Sequence, residues 1–321
     1  MNMLLIAEID DKHKQKILDN YTEDTFAIAD KKTITQSMID EADVIIGNPS
    51  LKWNLNQPHL KALLLNSAGN DLFIKEGILN EKTRLTNASG SYGHAISEHI
   101  LGMLIALNKN FRLYDHQQDQ HVWMPDFGGK ELYHSTVMIV GLGNIGYELA
   151  KRLKGFDCHV IGIKKHQSVK IAYVDVVDTI DHMKEYLPES DYVILCLPET
   201  KETIHLFNDD MFALMKQGSV ICNVGRGTAI ENSALLRALH QGKLYGAALD
   251  VVEGEPLSKD SPLWSEPGLM ITPHCSGGYH WDSVQDYYTD LVIRNIAHLK
   301  KNESLENEVD FSLGYRKNVV L

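Results

Sequence analysis

Three side chains that could act together on a small polar molecule lie just past apolar runs. "SVICNVGRGTAI" puts Arg226 beyond a strand-like segment, "GAALDVVEGEP" puts Glu255 in a loop after another, and "LMITPHCSGG" puts His274 after a third. A guanidinium forks onto adjacent oxygens and stabilises charge developing on them. An imidazole moves a proton near neutral pH, and a neighbouring carboxylate favours its charged form. Each residue also has an ordinary reading: Arg226 as a surface ion pair, Glu255 as a loop acid, His274 as a packed ring after Pro273. What lifts them above that reading is arrival by three separate strands, because catalytic and ligand-binding groups gather at the carboxyl ends of parallel strands.

A second constellation is "VMIVGLGNIGYELAKRL", with Gly141, Gly143 and Gly146 in GxGxxG spacing. The motif follows an apolar strand and opens an amphipathic helix, which is the context a dinucleotide site needs. Gly141 permits the tight turn, Gly143 a close approach of backbone to pyrophosphate, and Gly146 the packing of helix on strand. The helix start then offers unpaired N–H groups and a positive dipole end to the phosphates. About 20 residues on, an NAD-binding chain usually places an acid that accepts the ribose hydroxyls. Here "VIGIKKH" places Lys164 instead, with Lys165 and His166 behind it. A cation there favours an added 2′-phosphate through charge-assisted contacts, so the expected cofactor is NADP(H), with NAD(H) as the alternative. The ordinary reading is that both lysines point into solvent.

These residues need a frame. "MLLIAEI", "DVIIGN" and "KALLLNSAG" read as buried parallel strands, and "TRLTNASG" as a weaker one. "HAISEHILGMLIALNKNF" is helical, with Ile96, Ile100, Met103, Leu104 and Leu107 on one face, and is expected to bridge two domains. A polar segment broken by Pro125 and Gly128-Gly129 reads as a helix end and an exposed loop carrying Trp123 and Phe127. Alternation then restarts with "TVMIVGLG", "CHVIGI", "DYVILCLP", "SVICNVG", "LYGAALDV" and "LMITPH" as strands, and a last helix runs from about Asp282 to Lys300. The fold class expected is α/β: two Rossmann-like doubly wound parallel-sheet domains with a cleft between them. Residues 1–100 and 279–321 form the outer domain, and residues 101–278 the dinucleotide-binding one.

Composition narrows the functional classes. A chain of 321 residues with 44% hydrophobic content is long enough for two cores. A net charge of −12 and no clustered basic stretch argue against a nucleic-acid partner. The N-terminus lacks a basic start and a cleavage signature, and no run of ~18 apolar residues occurs, so a cytoplasmic protein with no membrane partner is expected. The four cysteines, Cys158, Cys196, Cys222 and Cys275, form no CxxC pair and are expected as buried thiols. A nucleophilic Cys275 fits the neighbouring residues less well. The 15 histidines include no HExxH and no ligand cluster, so no metal is expected.

"GLGNIG", "NVGRG", "ALDVVEGEPL", "SPLW" and "TPHCSGG", in this order, resemble the D-isomer-specific 2-hydroxyacid dehydrogenase family. The similarity covers almost the whole chain. It implies Arg226 as substrate-binding arginine, Glu255 as its glutamate partner and His274 as acid/base. It implies "NSAGND" as a loop whose backbone amides at Ala68, Gly69 and Asn70 hold the substrate carboxylate, with Arg226 and His274 completing the substrate contacts. To the cofactor residues it adds Asn144, Ile145, Leu197, Pro198, Val224, Gly225, Asp250, Ser276 and Gly277. The basic residues after the second strand and the "VDFSLGY" tail look most like the glyoxylate/hydroxypyruvate reductase branch, which implies NADPH-dependent reduction of a small 2-ketoacid and a homodimer. Other readings are an NAD-linked D-lactate or phosphoglycerate type dehydrogenase, a formate dehydrogenase (against which Glu255 counts), and a non-catalytic dinucleotide sensor like the family's corepressor branch. Departures include Lys164, Tyr92 where many relatives place asparagine, and Tyr279, His280 and Trp281 close behind His274. Trp123 resembles a residue that in some relatives reaches the neighbouring subunit's site; local packing is the alternative.

Overall fold

Apolar side chains line up across strands in two parallel sheets. The computed structural model describes residues 1–166, 170–312 and 314–316. The chain divides into one unit made of Met1–Tyr92 with Gly278–Leu321 and a second made of Gly93–Gly277. Residue 313 of the "VDFSLGY" tail and residues 317–321 of the expected outer domain lie outside the described residues.

The first unit runs β1 (Asn2–Leu5), α1 (Asp11–Asn20), β2 (Thr25–Ile28), α2 (Gln36–Asp40), β3 (Val44–Ile46), β4 (Ala62–Leu64) and β5 (Arg84–Thr86). Its sheet has the order β2-β1-β3-β4-β5, all parallel. Register places Leu4 beside Ile45, Ile45 beside Leu63 and Leu63 beside Leu85, and all four are fully buried. This row explains why the apolar runs read as buried strands. The β2 segment carries no such signal: it is an edge strand whose residues are half-buried or exposed.

The second unit opens with α3 (Gly93–Asn108) and α4 (Phe111–Asp119). It continues through β6 (Thr136–Val140), α5 (Asn144–Leu153), β7 (His159–Lys164), β8 (Val176–Thr179), α6 (Met183–Tyr186), β9 (Tyr192–Leu195), α7 (Asp209–Leu214), β10 (Ser219–Asn223), α8 (Asn232–His240), β11 (Leu244–Leu249) and β12 (Leu269–Ile271). The parallel sheet has the order β12-β11-β10-β9-β6-β7-β8. One register row crosses all seven strands: Leu269, Ala247, Ile221, Val193, Met138, Ile161, Val176. The chain winds outward from β6 through β7 to β8, then returns to β6's other side as β9. That reversal creates the crevice position where doubly wound sheets bind nucleotides.

Two expectations shift. The division expected after residue 100 falls at Tyr92 and Gly93, and α3 belongs to the second unit rather than bridging two. The cause is packing: Ile96, Ile100, Met103 and Leu104 are buried, and Leu107 lies against Gly246 of β11. The chain returns to the first unit at Gly278 and forms α9 (Asp282–Lys300), then β13 (Val309–Asp310) and β14 (Tyr315–Arg316). Val284, Tyr288, Leu291, Val292 and Ile296 form the buried helical stripe of α9. Helix α1 packs on α9, where the fully buried His13 ring joins Asp10 (2.6 Å) to Asp286 (3.0 Å). No helix among the described residues is long and apolar enough to cross a membrane.

Candidate active site

At the end of β6 the glycines form a tight turn into α5. Gly141 has φ +100°, and a Cβ there would come within 2.6 Å of the Cys196 carbonyl oxygen. A Cβ on Gly146 would meet the Gly141 oxygen at 2.8 Å, so helix and strand pack closely only because it is absent. A Cβ on Gly143 would meet nothing within 4 Å, and Gly143 caps α5 with no side-chain hydrogen bond to the helix N–H groups. Open space beside uncapped helix amides fits a pyrophosphate. Asn144 and Ile145 occupy the first turn of that helix.

The N–H groups of Gly141 and Leu142 both donate to the carbonyl of Ile163 (3.0 and 3.1 Å). This bond pair fixes the end of β7 against the glycine turn. Lys164, the next residue, is thereby half-buried beside it, with Lys165 and His166 exposed just beyond. The place where a ribose-binding acid would stand is occupied by cations held one residue from the turn.

The other expected residues follow adjacent strands of the same edge. Half-buried Leu197 and exposed Pro198 come after β9, and buried Val224 and Gly225 after β10. A Cβ on Gly225 would lie 2.5 Å from the Leu197 oxygen, so these two loops touch through backbone. Arg226 is half-buried, and its Nη1 donates to the Gly225 carbonyl (2.8 Å). The Asn223 side chain donates to the Arg226 carbonyl (2.9 Å) and accepts from Gly225 N–H (3.0 Å), closing the turn that presents the guanidinium. A Cβ on the following Gly227 would lie 2.0 Å from the Val252 oxygen, so the loops after β10 and β11 are pressed together at this point.

Glu255 lies in the loop after β11. Its Oε1 accepts from Val252 N–H (3.0 Å) and its Oε2 lies 2.7 Å from His274 Nδ1. With Nδ1–H donated to the carboxylate, His274 Nε2 is the atom left to exchange a proton, and it has no hydrogen-bond partner among the described residues. The His274 side chain keeps about half of its surface exposed, at 53%. Its backbone has φ +51°, a conformation that a non-glycine residue holds only when its surroundings enforce it.

The enforcing group is Asp250, 2% exposed. Its backbone carbonyl accepts from His274 N–H (2.8 Å), its Oδ1 accepts from Cys275 N–H (2.9 Å) and the Thr272 hydroxyl (2.6 Å), and its Oδ2 accepts from Ser276 N–H (3.1 Å). Burial pushes the carboxyl upward, but hydrogen bonds from Ser276, Thr272 and Cys275 outweigh it and hold the group below the ordinary aspartate value of 3.8. The sequence marked Asp250, Ser276 and Gly277 only as cofactor contacts. That one carboxylate clamps the loop bearing His274 was not visible there, because a side chain reaching backbone amides has no spacing signature.

Cysteine placement corrects one expectation. Cys158 and Cys222 are buried and Cys196 half-buried, but Cys275 is exposed, because residues 273–275 project beyond the sheet. Its thiol is pushed up by desolvation and by the charge of Asp250, which keeps it protonated and a poor nucleophile. His99, Asp250 and Cys275 bring one potential ligand atom each within 4.8 Å of the others, a cluster the sequence did not suggest. The Thr272 hydroxyl bridges two of them, 2.9 Å from His99 Nε2 and 2.6 Å from Asp250 Oδ1. Those donors are therefore engaged in a hydrogen-bonded chain.

In the first unit, the loop Asn66–Asn70 after β4 has every carbonyl occupied. The Tyr92 hydroxyl donates to Asn66, Ala88 N–H to Ser67 (2.8 Å), Asn87 Nδ2 to Ala68 (2.9 Å), the Ser67 hydroxyl to Gly69 (2.6 Å) and Phe73 N–H to Asn70 (2.9 Å). The N–H groups of Ala68, Gly69 and Asn70 donate to no acceptor among the described residues. Consecutive amides turned outward from carbonyls turned inward make a concavity for an anion. The Asn70 side chain is buried, donating to the Gly314 carbonyl (3.0 Å), so only its backbone is on offer.

Comparison with known proteins agrees with this architecture. Residues 101–276 match the family described as D-isomer specific 2-hydroxyacid dehydrogenase, NAD binding domain. The chain is 30% identical over 295 residues to glyoxylate/hydroxypyruvate reductase B of Escherichia coli (strain K12), covering 87% of this chain and 89% of that protein. Among solved structures, a D-isomer specific 2-hydroxyacid dehydrogenase family protein from Aeromonas salmonicida is 32% identical with a TM-score of 0.86, covering 97% of this chain and 99% of that one. The NADPH-dependent glyoxylate/hydroxypyruvate reductase of Sinorhizobium meliloti, solved with NADP and sulfate, shares the fold at 24% identity and a TM-score of 0.81, covering 98% and 99%.

The Asp250 clamp makes a pH-dependent prediction. A carboxyl held low when folded contributes stability fully above pH 3.8, and that contribution is lost as pH falls through the lower folded value. In Asp250→Asn an amide NH₂ must face an N–H or hydroxyl donor in either orientation. The substitution is expected to cost about 2–3 kcal/mol at pH 7. Thermal melts of both proteins should show a gap that narrows as pH drops below 3.8; a constant gap contradicts the clamp.

Proposed function

The chain belongs to the D-isomer specific 2-hydroxyacid dehydrogenase family, oxidoreductases acting on CH–OH groups with NAD(P), and we propose that it reduces a small 2-ketoacid of the glyoxylate or hydroxypyruvate type with NADPH. The observation that carries this reading is the 2.7 Å pair of His274 Nδ1 and Glu255, presented on the same sheet edge as the glycine turn. The reductases of Escherichia coli and Sinorhizobium meliloti, by their names, act on the same substrates.

The roles assigned to the side chains follow from their chemistry. Gly141, Gly143, Asn144, Ile145 and Gly146 form the pyrophosphate cradle, and Lys164 with Lys165 and His166 meets a 2′-phosphate. Leu197, Pro198, Val224, Gly225, Asp250, Ser276 and Gly277 line the rest of the nucleotide. When bound, the nicotinamide supplies a hydride to the keto carbon. His274 Nε2 delivers the proton that converts the keto oxygen to a hydroxyl, while Glu255 holds the ring in one tautomer and one orientation. Arg226 orients the keto acid and stabilises the negative charge growing on oxygen. The amides of Ala68, Gly69 and Asn70 take the carboxylate. The loop bearing Trp123, whose side chain is 100% exposed, and Phe127, at 94%, supports a homodimer built through this apolar surface.

Initial rates with glyoxylate, hydroxypyruvate, pyruvate and D-glycerate, each with NADP(H) and NAD(H), test the reading. NADPH oxidation by glyoxylate or hydroxypyruvate is expected; absence of turnover with every ketoacid would point to a nucleotide sensor. His274→Ala should lower kcat by about 10²–10⁴-fold while the NADPH dissociation constant, read by fluorescence titration, changes by less than about twofold. A surviving rate would assign the proton to another residue. Lys164→Asp should raise the KM for NADPH about tenfold and leave that for NADH within about twofold. An unchanged ratio of the two would reject the phosphate contact.

A further inference from the structure

The Asn66–Asn70 loop depends on a residue outside any assignment made so far. Four of its five carbonyls accept from groups close in the same sheet-end network: Ala88 N–H, Asn87, Ser67 and Phe73 N–H. The fifth, that of Asn66, is held by the hydroxyl of Tyr92. Tyr92 is the last residue of the first unit, directly before Gly93, and only 7% exposed. Burial pushes its phenol well above the ordinary value, so it stays a neutral O–H donor.

Asn66 is where the chain leaves β4, since Leu65 N–H still pairs with the Thr86 carbonyl of β5. The Asn66 side of the loop is held by Asn48 as well, which accepts from Asn66 N–H (3.0 Å) and donates to the Ser67 hydroxyl (2.9 Å). The Asn66 carbonyl and the Ser67 N–H belong to one rigid peptide plane. Rotating that plane would turn a carbonyl dipole toward the anion position and re-aim the amides that follow. An N–H array binds an anion only while its carbonyls stay turned away.

We propose that Tyr92 is a positioning residue for the substrate carboxylate: by holding the Asn66 carbonyl it fixes the amides of Ala68 and Gly69 in their anion-binding orientation. This rests on the reading of the chain as a 2-ketoacid reductase. Tyr92 is buried and its hydroxyl is spent on a backbone carbonyl of the loop, so its effect falls on ketoacid affinity and not on proton or hydride transfer.

Tyr92→Phe removes only the hydroxyl. The KM for glyoxylate should rise about tenfold, with kcat and the KM for NADPH within about twofold of the parent. Tyr288→Phe is the control, because its hydroxyl donates to the Leu64 carbonyl (3.2 Å) at the end of β4, outside the loop. It should leave the KM for glyoxylate unchanged. An unaltered KM in Tyr92→Phe, a fall confined to kcat, or an equal rise in Tyr288→Phe overturns the proposal. Binding without turnover gives an independent readout: sodium oxamate titrated into the full-length, ¹⁵N-labelled, NADPH-saturated protein should shift the Ala68 and Gly69 amide signals. Tyr92→Phe should need about tenfold more oxamate for the same shift. Should the parent turn over no ketoacid, the reductase reading fails while the oxamate titration still decides on Tyr92: equal titration midpoints overturn it.

Discussion

The buried carboxylate of Asp250 is the constraint on which the rest of the second unit's chemistry depends. Its backbone and side chain together hold Thr272 and the amides of residues 274–276. Those contacts force His274 into a left-handed conformation that the chain would not otherwise keep. The imidazole then meets Glu255, itself anchored to Val252 N–H, without either side chain needing deep burial. A half-exposed His–Glu pair is thus oriented from beneath by a buried hydrogen-bond network centred on Asp250.

Close backbone contact makes a second constraint of the same kind. Gly141 against Cys196, Gly225 against Leu197 and Gly227 against Val252 leave no room for a β-carbon. These three contacts join the loops following β6, β9, β10 and β11 into one continuous floor. Parallel strands bring their carboxyl ends to one edge, but only glycine lets the loops beyond them stack closely enough to share a ligand. Lys164 takes its position from the same logic, since two amides of the glycine turn bind the carbonyl immediately before it.

Much of this was legible in the sequence, for identifiable reasons. The strands that became β1, β3, β4, β6, β7, β9, β10 and β11 are largely buried in rows, and burial on both faces leaves an apolar run, while edge strand β12 was legible because its half-buried residues are all apolar. Edge strands β2 and β8 were illegible because half-buried residues carry mixed polarity. The pairing of His274 with Glu255 was foreseeable from residue types at strand ends and from resemblance. The carbonyl-filled loop at Asn66–Asn70, the clamp of Asp250 and the exposure of Cys275 were not. Each depends on where a short polar side chain points in three dimensions, and no periodicity records that.

The first unit is assembled from two separate segments of the chain, with the second inserted between Tyr92 and Gly278. Helix α1 lacks its partner until α9 exists, and the contacts joining them include His13 with Asp286, Lys16 with Asp290 at 2.6 Å and the Asp10 N–H with Gln285 at 2.7 Å. On a ribosome the inserted unit, contiguous from Gly93 to Gly277, leaves the exit tunnel as a complete folding module first. The earlier-made β1–β5 segment lacks these α1–α9 contacts until that helix emerges. Vectorial synthesis therefore postpones completion of the first unit until the segment after Gly278 has been made.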